Sequence, residues 1–282
     1  GVLRAESAVA VAGSYVASLR THTENARNRY EFGDVPQNDY LAASVTLADA
    51  EQRLLQATNH LDYARAAYNR FLGRPLAAPV ALDPQLGIDE FIPAAATLDE
   101  LMDQARANRS ELHALDAQQK ALRSQADSVR ASARPQLSLT GGYLYMENEF
   151  LTQEEFWMAG VSFSWNLFDG GQARKQSSAI ERKAASVGYN RADMASMVDL
   201  QVRRAWNDRS EAGSRLQVAQ SAVDQASENL RVVRNRYAAG ASTNAEVLDA
   251  EALREQSMST RENARLGVEL AKGRLARAIG AL

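Results

Sequence analysis

The sequence predicts a mainly α protein of long antiparallel, coiled-coil-like helices, with one β-hairpin set among them and an internally duplicated helix–turn–helix. Three observations carry this. Apolar or small residues at Leu216, Ala219, Val223, Ala226, Leu230, Val233 and Tyr237 alternate steps of three and four, the spacing of a coiled-coil seam. Arg27-Asn28-Arg29-Tyr30 recurs as Arg234-Asn235-Arg236-Tyr237, an offset of 207 residues. From Gln136 to Leu167 the apolar period changes from helical to two.

At the same offset Gly33 meets Gly240, Leu41 meets Leu248, Ala43 meets Ala250, Arg70 meets Arg277 and Gly73 meets Gly280. This reads as an internal duplication. The plainer reading, two Ala-rich seam helices matching by composition, has to account for a four-residue identity and an in-register glycine at each helix end. Residue 1 matches residue 208, so the first copy begins in mid-helix. With no initiator Met and no signal-like stretch, the chain is expected to be a piece of a longer protein. Upstream of it a second Pro–strand–turn–strand–Gly-Gly unit is expected.

Composition narrows the class. Hydrophobic residues make up 45% but aromatics only 7%, and Ala dominates the apolar set, which suits helices packed closely through small side chains. The net charge is −3 with both signs interleaved, so the basic footprint of a nucleic-acid binder is absent. No apolar run reaches the length of a transmembrane helix. There is no Cys, which removes disulfides, thiol catalysis and Cys-ligated zinc.

Taken in order, residues 1–31 read as one helix with its seam at Val9, Ala12, Val16, Leu19, Thr23, Ala26 and Tyr30. Pro36 opens a second helix, which runs to about Leu72 and is ended by Gly73. Residues 1–73 thus form the end of the first copy, with its turn near 31–36. Residues 74–96 hold Pro75, Pro79, Pro84 and Pro93, four of the six prolines, and read as an irregular connector. The second copy occupies 97–282. It opens with one helix from near Thr97 to about Ser132, stopped by Pro135.

A hairpin over 136–168 follows. Leu137, Leu139, Gly141, Tyr143 and Tyr145 alternate with smaller or polar residues. After an acidic tip from Glu147-Asn148-Glu149 to Glu154-Glu155, Trp157, Ala159, Val161, Phe163, Trp165 and Leu167 face one way. Each run is about ten residues, the length of a tilted strand crossing a bilayer. One face is aromatic and aliphatic, with Tyr143, Tyr145, Trp157 and Trp165 near strand ends where an aromatic girdle belongs. Membrane-facing positions are therefore Trp157, Val161, Phe163, Trp165, Tyr143 and Tyr145. A soluble hairpin packed on helices reads the same alternation without a membrane.

Phe168-Asp169-Gly170-Gly171 turns the chain into a helix from about 171 to 238, with no Pro to interrupt it and a length of about 100 Å. Ile180, Val187 and Met194 recur every seven residues, as do Ala184, Val198 and Ala205 at multiples of seven. Gly240 sits where a left-handed C-terminal cap is needed. After a turn at 239–243, Thr243 and Glu246 form a capping box for the last helix, 243–280.

These residues resemble the TolC-type outer-membrane efflux protein family. The match lies in Arg236-Tyr237, Gly240, Thr243 and Glu246-Val247-Leu248-Asp249-Ala250, in Arg134-Pro135 before Leu137, and in Asn166-Leu167-Phe168-Asp169-Gly170-Gly171. The resemblance implies helices that are staves of an α-barrel, a hairpin of a transmembrane β-barrel, and a passive homotrimeric duct. It implies residence in the outer membrane and periplasm of a Gram-negative bacterium, with outer-membrane lipid around the hairpin. A periplasmic adaptor protein and an inner-membrane transporter are the implied partners, in a tripartite efflux or type I secretion system, with no cofactor and no enzymatic activity. One hairpin is present where the family contributes two per chain.

Carried over by position, Asp249 and Glu246 would line a pore constriction, where a ring of carboxylates attracts cations. The other reading is that both serve the helix start: Glu246 caps and Asp249 favours the positive end of the dipole. Tyr237, Arg236, Gly240, Tyr30, Arg29 and Gly33 would form a tip latch and adaptor contact. The alternative is a seam aromatic beside a solvated Arg, with structural glycines. His22, His60 and His113 stand alone, without a second ligand at metal spacing. No nucleophile–base arrangement, phosphate loop or dinucleotide fingerprint occurs. A soluble coiled-coil interaction module without a pore is the competing reading of the whole chain.

Overall fold

A computed structural model describes residues 1–83, 91, 96–147, 149–150, 152 and 155–282. Among them are six α-helices and one two-stranded sheet: α1 (Val2–Glu31), α2 (Gln37–Phe71), α3 (Leu98–Asn108), α4 (Ser110–Ala131), β1 (Gln136–Tyr145), β2 (Glu155–Ser164), α5 (Gln172–Ala238) and α6 (Asn244–Ala278). Pro84 and Pro93 of the connector, and Asn148 and Glu154 of the hairpin tip, lie outside the described residues. The chain forms two compact units, one of Gly1–Glu100 with Val202–Leu282, the other of Leu101–Gln201.

The duplication is written into the helix ends of the first unit. Gly33, Gly73, Gly240 and Gly280 all have φ between 67° and 79°, a region that costs an L-residue with a Cβ about 1–2 kcal/mol. Each closes the same two-bond turn. Gly33 N–H donates to Tyr30 O at 2.9 Å and Asp34 N–H to Arg29 O at 2.8 Å; their partners 207 residues on are Gly240 to Tyr237 at 3.0 Å and Ala241 to Arg236 at 2.7 Å. Gly73 and Arg74 cap α2 as Gly280 and Ala281 cap α6. These pairs satisfy two of the free carbonyls in the last turn of each helix.

Packing of α1 departs from a single seam. Val16, Leu19, Thr23 and Ala26 of the predicted row are buried, and so is a second row at Val11, Tyr15 and His22. Tyr15, Val16 and Leu19 meet Ala50 of α2, with Leu47, Leu54 and Leu248 of α6 around them. Helix α1 therefore packs between α2 and α6. At its other end Val2, Ala5 and Leu61 form a cluster, covered by Val80 and Leu82 of the connector. Fully buried Asn69 fixes that connector by donating to Leu76 O at 3.1 Å and Ala78 O at 2.8 Å.

The single helix expected over 97–132 is corrected: Arg109 is extended (φ −68°, ψ 119°) and separates α3 from α4. Asn108 and Ser110 flank it, residue types whose side chains favour turns and caps over helix interior. Glu111 and Gln201 hold the Arg109 guanidinium at 3.0–3.2 Å, and His113 Nε2–H donates to the freed Ala107 carbonyl at 2.7 Å. Across the rest of the second unit α4 and α5 run antiparallel. Arg191 grips Asp116 at 2.8 and 3.2 Å, and Arg130 pairs with Glu181. At Gly188 a Cβ would stand 2.6 Å from Gln119 Nε2, which donates to Ala184 O. On the α5 side of this unit Ile180, Ala184, Val187 and Val198 of the seven-residue rows are buried and Met194 is half-buried; Ala205, in the first unit, is buried too.

The hairpin is antiparallel with Leu137↔Phe163, Leu139↔Val161, Gly141↔Ala159 and Tyr143↔Trp157 as direct partners. Alternation puts these pairs on one face. Nothing among the described residues covers that face: Trp157 is 84% exposed, Leu139 83% and Val161 70%. Tyr143 and Trp157 rings lie 5.1 Å apart, tilted, as cross-strand aromatics prefer.

Candidate functional site at the paired helical turns

The α1–α2 and α5–α6 turns belong to the same unit, and their neighbouring helices are tied by side chains from both copies. Arg29 donates to the Tyr237 carbonyl at 2.6 Å, with its guanidinium 4.8 Å from the Tyr237 ring centroid. Tyr237 is buried with Leu230, Val247 and Ala250, against Val35 and Val233. Burial and, next, the Asp39 carboxylate raise its phenol pKa. Arg29 and Tyr237 are thus brought together across the two copies. Tyr30 and Arg236 are not: Tyr30 stacks on Tyr40 at 6.4 Å, and Arg236 donates to Ala241 O at 3.0 Å within its own turn.

Three residues outside the predicted set join them. His22 Nε2–H donates to Asn244 Oδ1 at 2.7 Å, and Asn244 Nδ2 donates to Asp39 O at 3.0 Å, linking α1, α6 and α2 in one chain of bonds. The His22 ring tilts against Tyr237 at 5.6 Å. Burial lowers the His22 pKa below its ordinary value, outweighing the opposing contact with Asn244. About two turns further along α6, Glu251 is 1% exposed. Its carboxylate accepts from Ser18 Oγ at 3.2 Å and from Arg234, which also donates to Ser18 at 2.7 Å. His22 was legible only as an isolated histidine, because its partner is 222 residues away. Glu251 and Arg234 do leave a signal, since each is a charge on a face otherwise carrying Val247 or Leu230 and Tyr237.

The acidic pair after the second turn divides. Thr243 Oγ1 accepts from Glu246 N–H at 3.3 Å, while the Glu246 carboxylate takes Ser242 Oγ at 2.6 Å. The Ser242 bond leads the causes that lower the Glu246 pKa, ahead of nearby Arg236 and the Thr243 backbone N–H. Glu246 is therefore engaged at the start of α6. Asp249 is exposed and makes no hydrogen bond or ion pair among the described residues. In the hairpin unit Trp157, Val161, Phe163, Tyr143 and Tyr145 share the open face, and Trp165 follows β2. Among the described residues there is no grouping of His, Asp or Glu able to hold a metal, and no helix is long and apolar enough to cross a membrane.

Comparison with known proteins matches residues 101–281 to the family model described as outer membrane efflux protein. The chain is 25% identical over 257 residues to the alkaline protease secretion protein AprF of Pseudomonas aeruginosa, covering 89% of this chain and 53% of AprF. It is 26% identical over 175 residues to the outer membrane protein TolC of Vibrio cholerae, covering 62% of this chain and 40% of TolC. Its fold is similar to that of the outer membrane protein VceC of Vibrio cholerae, with a TM-score of 0.72 at 17% identity over 99% of this chain and 67% of VceC. The chain spans about half the length of the curated relatives it matches.

Proposed function

We propose, from the premise that this chain belongs to the outer membrane efflux protein family, that it is part of a trimeric outer-membrane duct of a tripartite efflux or type I secretion system. The observation that carries this is the hairpin. Two ten-residue strands align their large apolar side chains on one face, and none of the described residues covers it. In water that face is a liability. In a bilayer it is the lipid side of a barrel wall. The helices continue the wall into the periplasm as staves. The likeness to a protease secretion protein over most of the chain supports secreted polypeptides among the cargo.

The duct is passive, and its gate is the pair of helical turns. Closed, the tip is held by Arg29 on Tyr237, by His22 and Asn244, and by Ser18 and Arg234 on Glu251. A periplasmic adaptor, coupled to an inner-membrane transporter, opens it by parting α1–α2 from α5–α6. Exposed Asp249 lines the constriction as a threefold carboxylate ring, with Glu246 one turn earlier. No chemical step is involved.

Val161→Arg in the full-length parent tests the membrane role. An Arg on the lipid face near the bilayer midplane costs about 2–4 kcal/mol, and the variant is expected to leave the membrane fraction. Wild-type partitioning of that variant rules the barrel out and favours the soluble interaction module.

A further inference from the structure

At the base of the hairpin the chain changes from an apolar to a basic surface. Gln136↔Ser164 is the last described pair of the ladder at this end, so Arg134 before β1 and Trp165 after β2 flank the same end. Trp165, Leu167 and Phe168 are exposed there. Asp169 follows, and its carboxylate accepts from Gly171 N–H and Ala173 N–H at 2.8 Å each. The free donors at the start of α5 are therefore partly taken by the chain's own acid. Beyond it Arg174, Lys175 and Arg182, with Gly171, Ser178 and Ala179, line a groove of about 670 Å³.

These cations run against local helix electrostatics. The positive end of the helix dipole disfavours Arg and Lys in a first turn. Helices α2, α3, α4 and α6 carry acids there, whereas α1 and α5 carry none. Further along the same unit Arg106, Arg130 and Arg191 each pair with a carboxylate from the facing helix. Arg134, Arg174, Lys175 and Arg182 enter no ion pair among the described residues.

We propose that this groove binds the phosphodiester headgroups of anionic phospholipid in the membrane leaflet that surrounds the hairpin base. The proposal rests on reading the hairpin as membrane-inserted. The order along the chain is that of a bilayer boundary: an apolar strand face, then an aromatic edge, then cations at headgroup depth. Arg174 and Lys175 lie about 3–5 Å along α5 from its start, within a headgroup layer of about 5–8 Å. Arg182, about 15 Å along, lines the far end of the groove, and an Arg stem is long enough to carry its charge toward the headgroup layer. Ser178 and Ala179 are small enough to leave the phosphate room between the two ends.

The test is titration of the full-length protein in neutral detergent with phosphatidylglycerol, phosphatidylcholine or inorganic phosphate, read as the thermal unfolding midpoint. Wild type is compared with the triple variant R174Q/K175Q/R182Q, and insertion of both into phosphatidylcholine vesicles is measured alongside. Phosphatidylglycerol alone is expected to raise the wild-type midpoint. Half-saturation is expected to weaken about five-fold per neutralised residue, roughly a hundred-fold for all three, as for basic residues at a charged membrane surface. Equal response of wild type and variant overturns the proposal, as does the same rise with inorganic phosphate, which marks a free-anion groove. If wild type fails to insert into the vesicles at all, the barrel reading falls and takes this proposal with it. Normal insertion without discrimination between the lipids overturns the headgroup site alone.

Discussion

Arg29 and Tyr237 occupy adjoining places in the two copies of one repeated tetrapeptide, and they meet: the first donates to the carbonyl of the second at 2.6 Å and lies over its ring. A charge-assisted hydrogen bond of this kind contributes about 1.5–3 kcal/mol, and the ring contact about 0.5–1 kcal/mol at a partly exposed site. Arg29→Gln removes both. The variant is expected to loosen the junction of the two turns, seen as faster protease cleavage near Gly33 and Gly240 and, if that junction is the proposed gate, as higher conductance in planar bilayers. Unaltered cleavage and conductance would leave Arg29 without a part in closure.

Acid should open the same junction. The His22 pKa lies below its ordinary value near 6.5 because the ring is buried. The unfolded chain therefore binds a proton that the packed tip refuses. The contribution of His22 is fully present above about pH 6.5 and is lost as the pH falls below it. Facing the ring are Asn244, the Asp39 carbonyl and carboxylate, Arg234, Glu251 and Tyr237, with Arg29 beyond the phenol. Hydrogen exchange of α1 and α6 at the tip is expected to accelerate between about pH 7 and pH 5. In His22→Gln, which keeps a donor toward Asn244, that acceleration should disappear. A persistent acid effect in the variant would assign it to another group.

Glu251 is the buried member of a pair whose other member, Arg234, is 39% exposed. Removing one partner of a fully buried pair costs about 3–5 kcal/mol. Partial exposure of Arg234 lowers that, so Glu251→Ala is expected to cost about 1–3 kcal/mol. Replacing both with Leu and Met should restore most of the loss, since an apolar pair of similar volume needs no compensation. Chemical denaturation of the two variants measures the difference, and a double variant weaker than the single one contradicts the account.

Asp249→Ala should raise conductance and reduce cation preference in bilayers if the exposed carboxylates converge on a threefold axis. Glu246→Gln should act mainly through the start of α6, lowering thermal stability more than it changes selectivity. If the two variants exchange these effects, the constriction is formed by Glu246.

The helix boundaries were open to the sequence because their causes are local. Gly240 ends one helix, Thr243 and Glu246 start the next, and the 207-residue offset repeats the signal at Gly33. The strand face was legible because a period of two fixes it. The break at Arg109 was not, because the groups holding it include Gln201, 92 residues distant. The polar chain His22–Asn244–Asp39 was hidden for a related reason. It occupies the second row of α1, where a polar residue interrupts the apolar spacing that a seam search follows. Of the predicted latch, Arg29 and Tyr237 converge, whereas Tyr30 and Arg236 serve their own turns.

Two glycine elbows bound the paired turns, and each ties down all but one of the last four carbonyls of its helix. Such an end resists fraying residue by residue. In the proposed gate, any opening is therefore expected as the swing of whole helices about these knuckles.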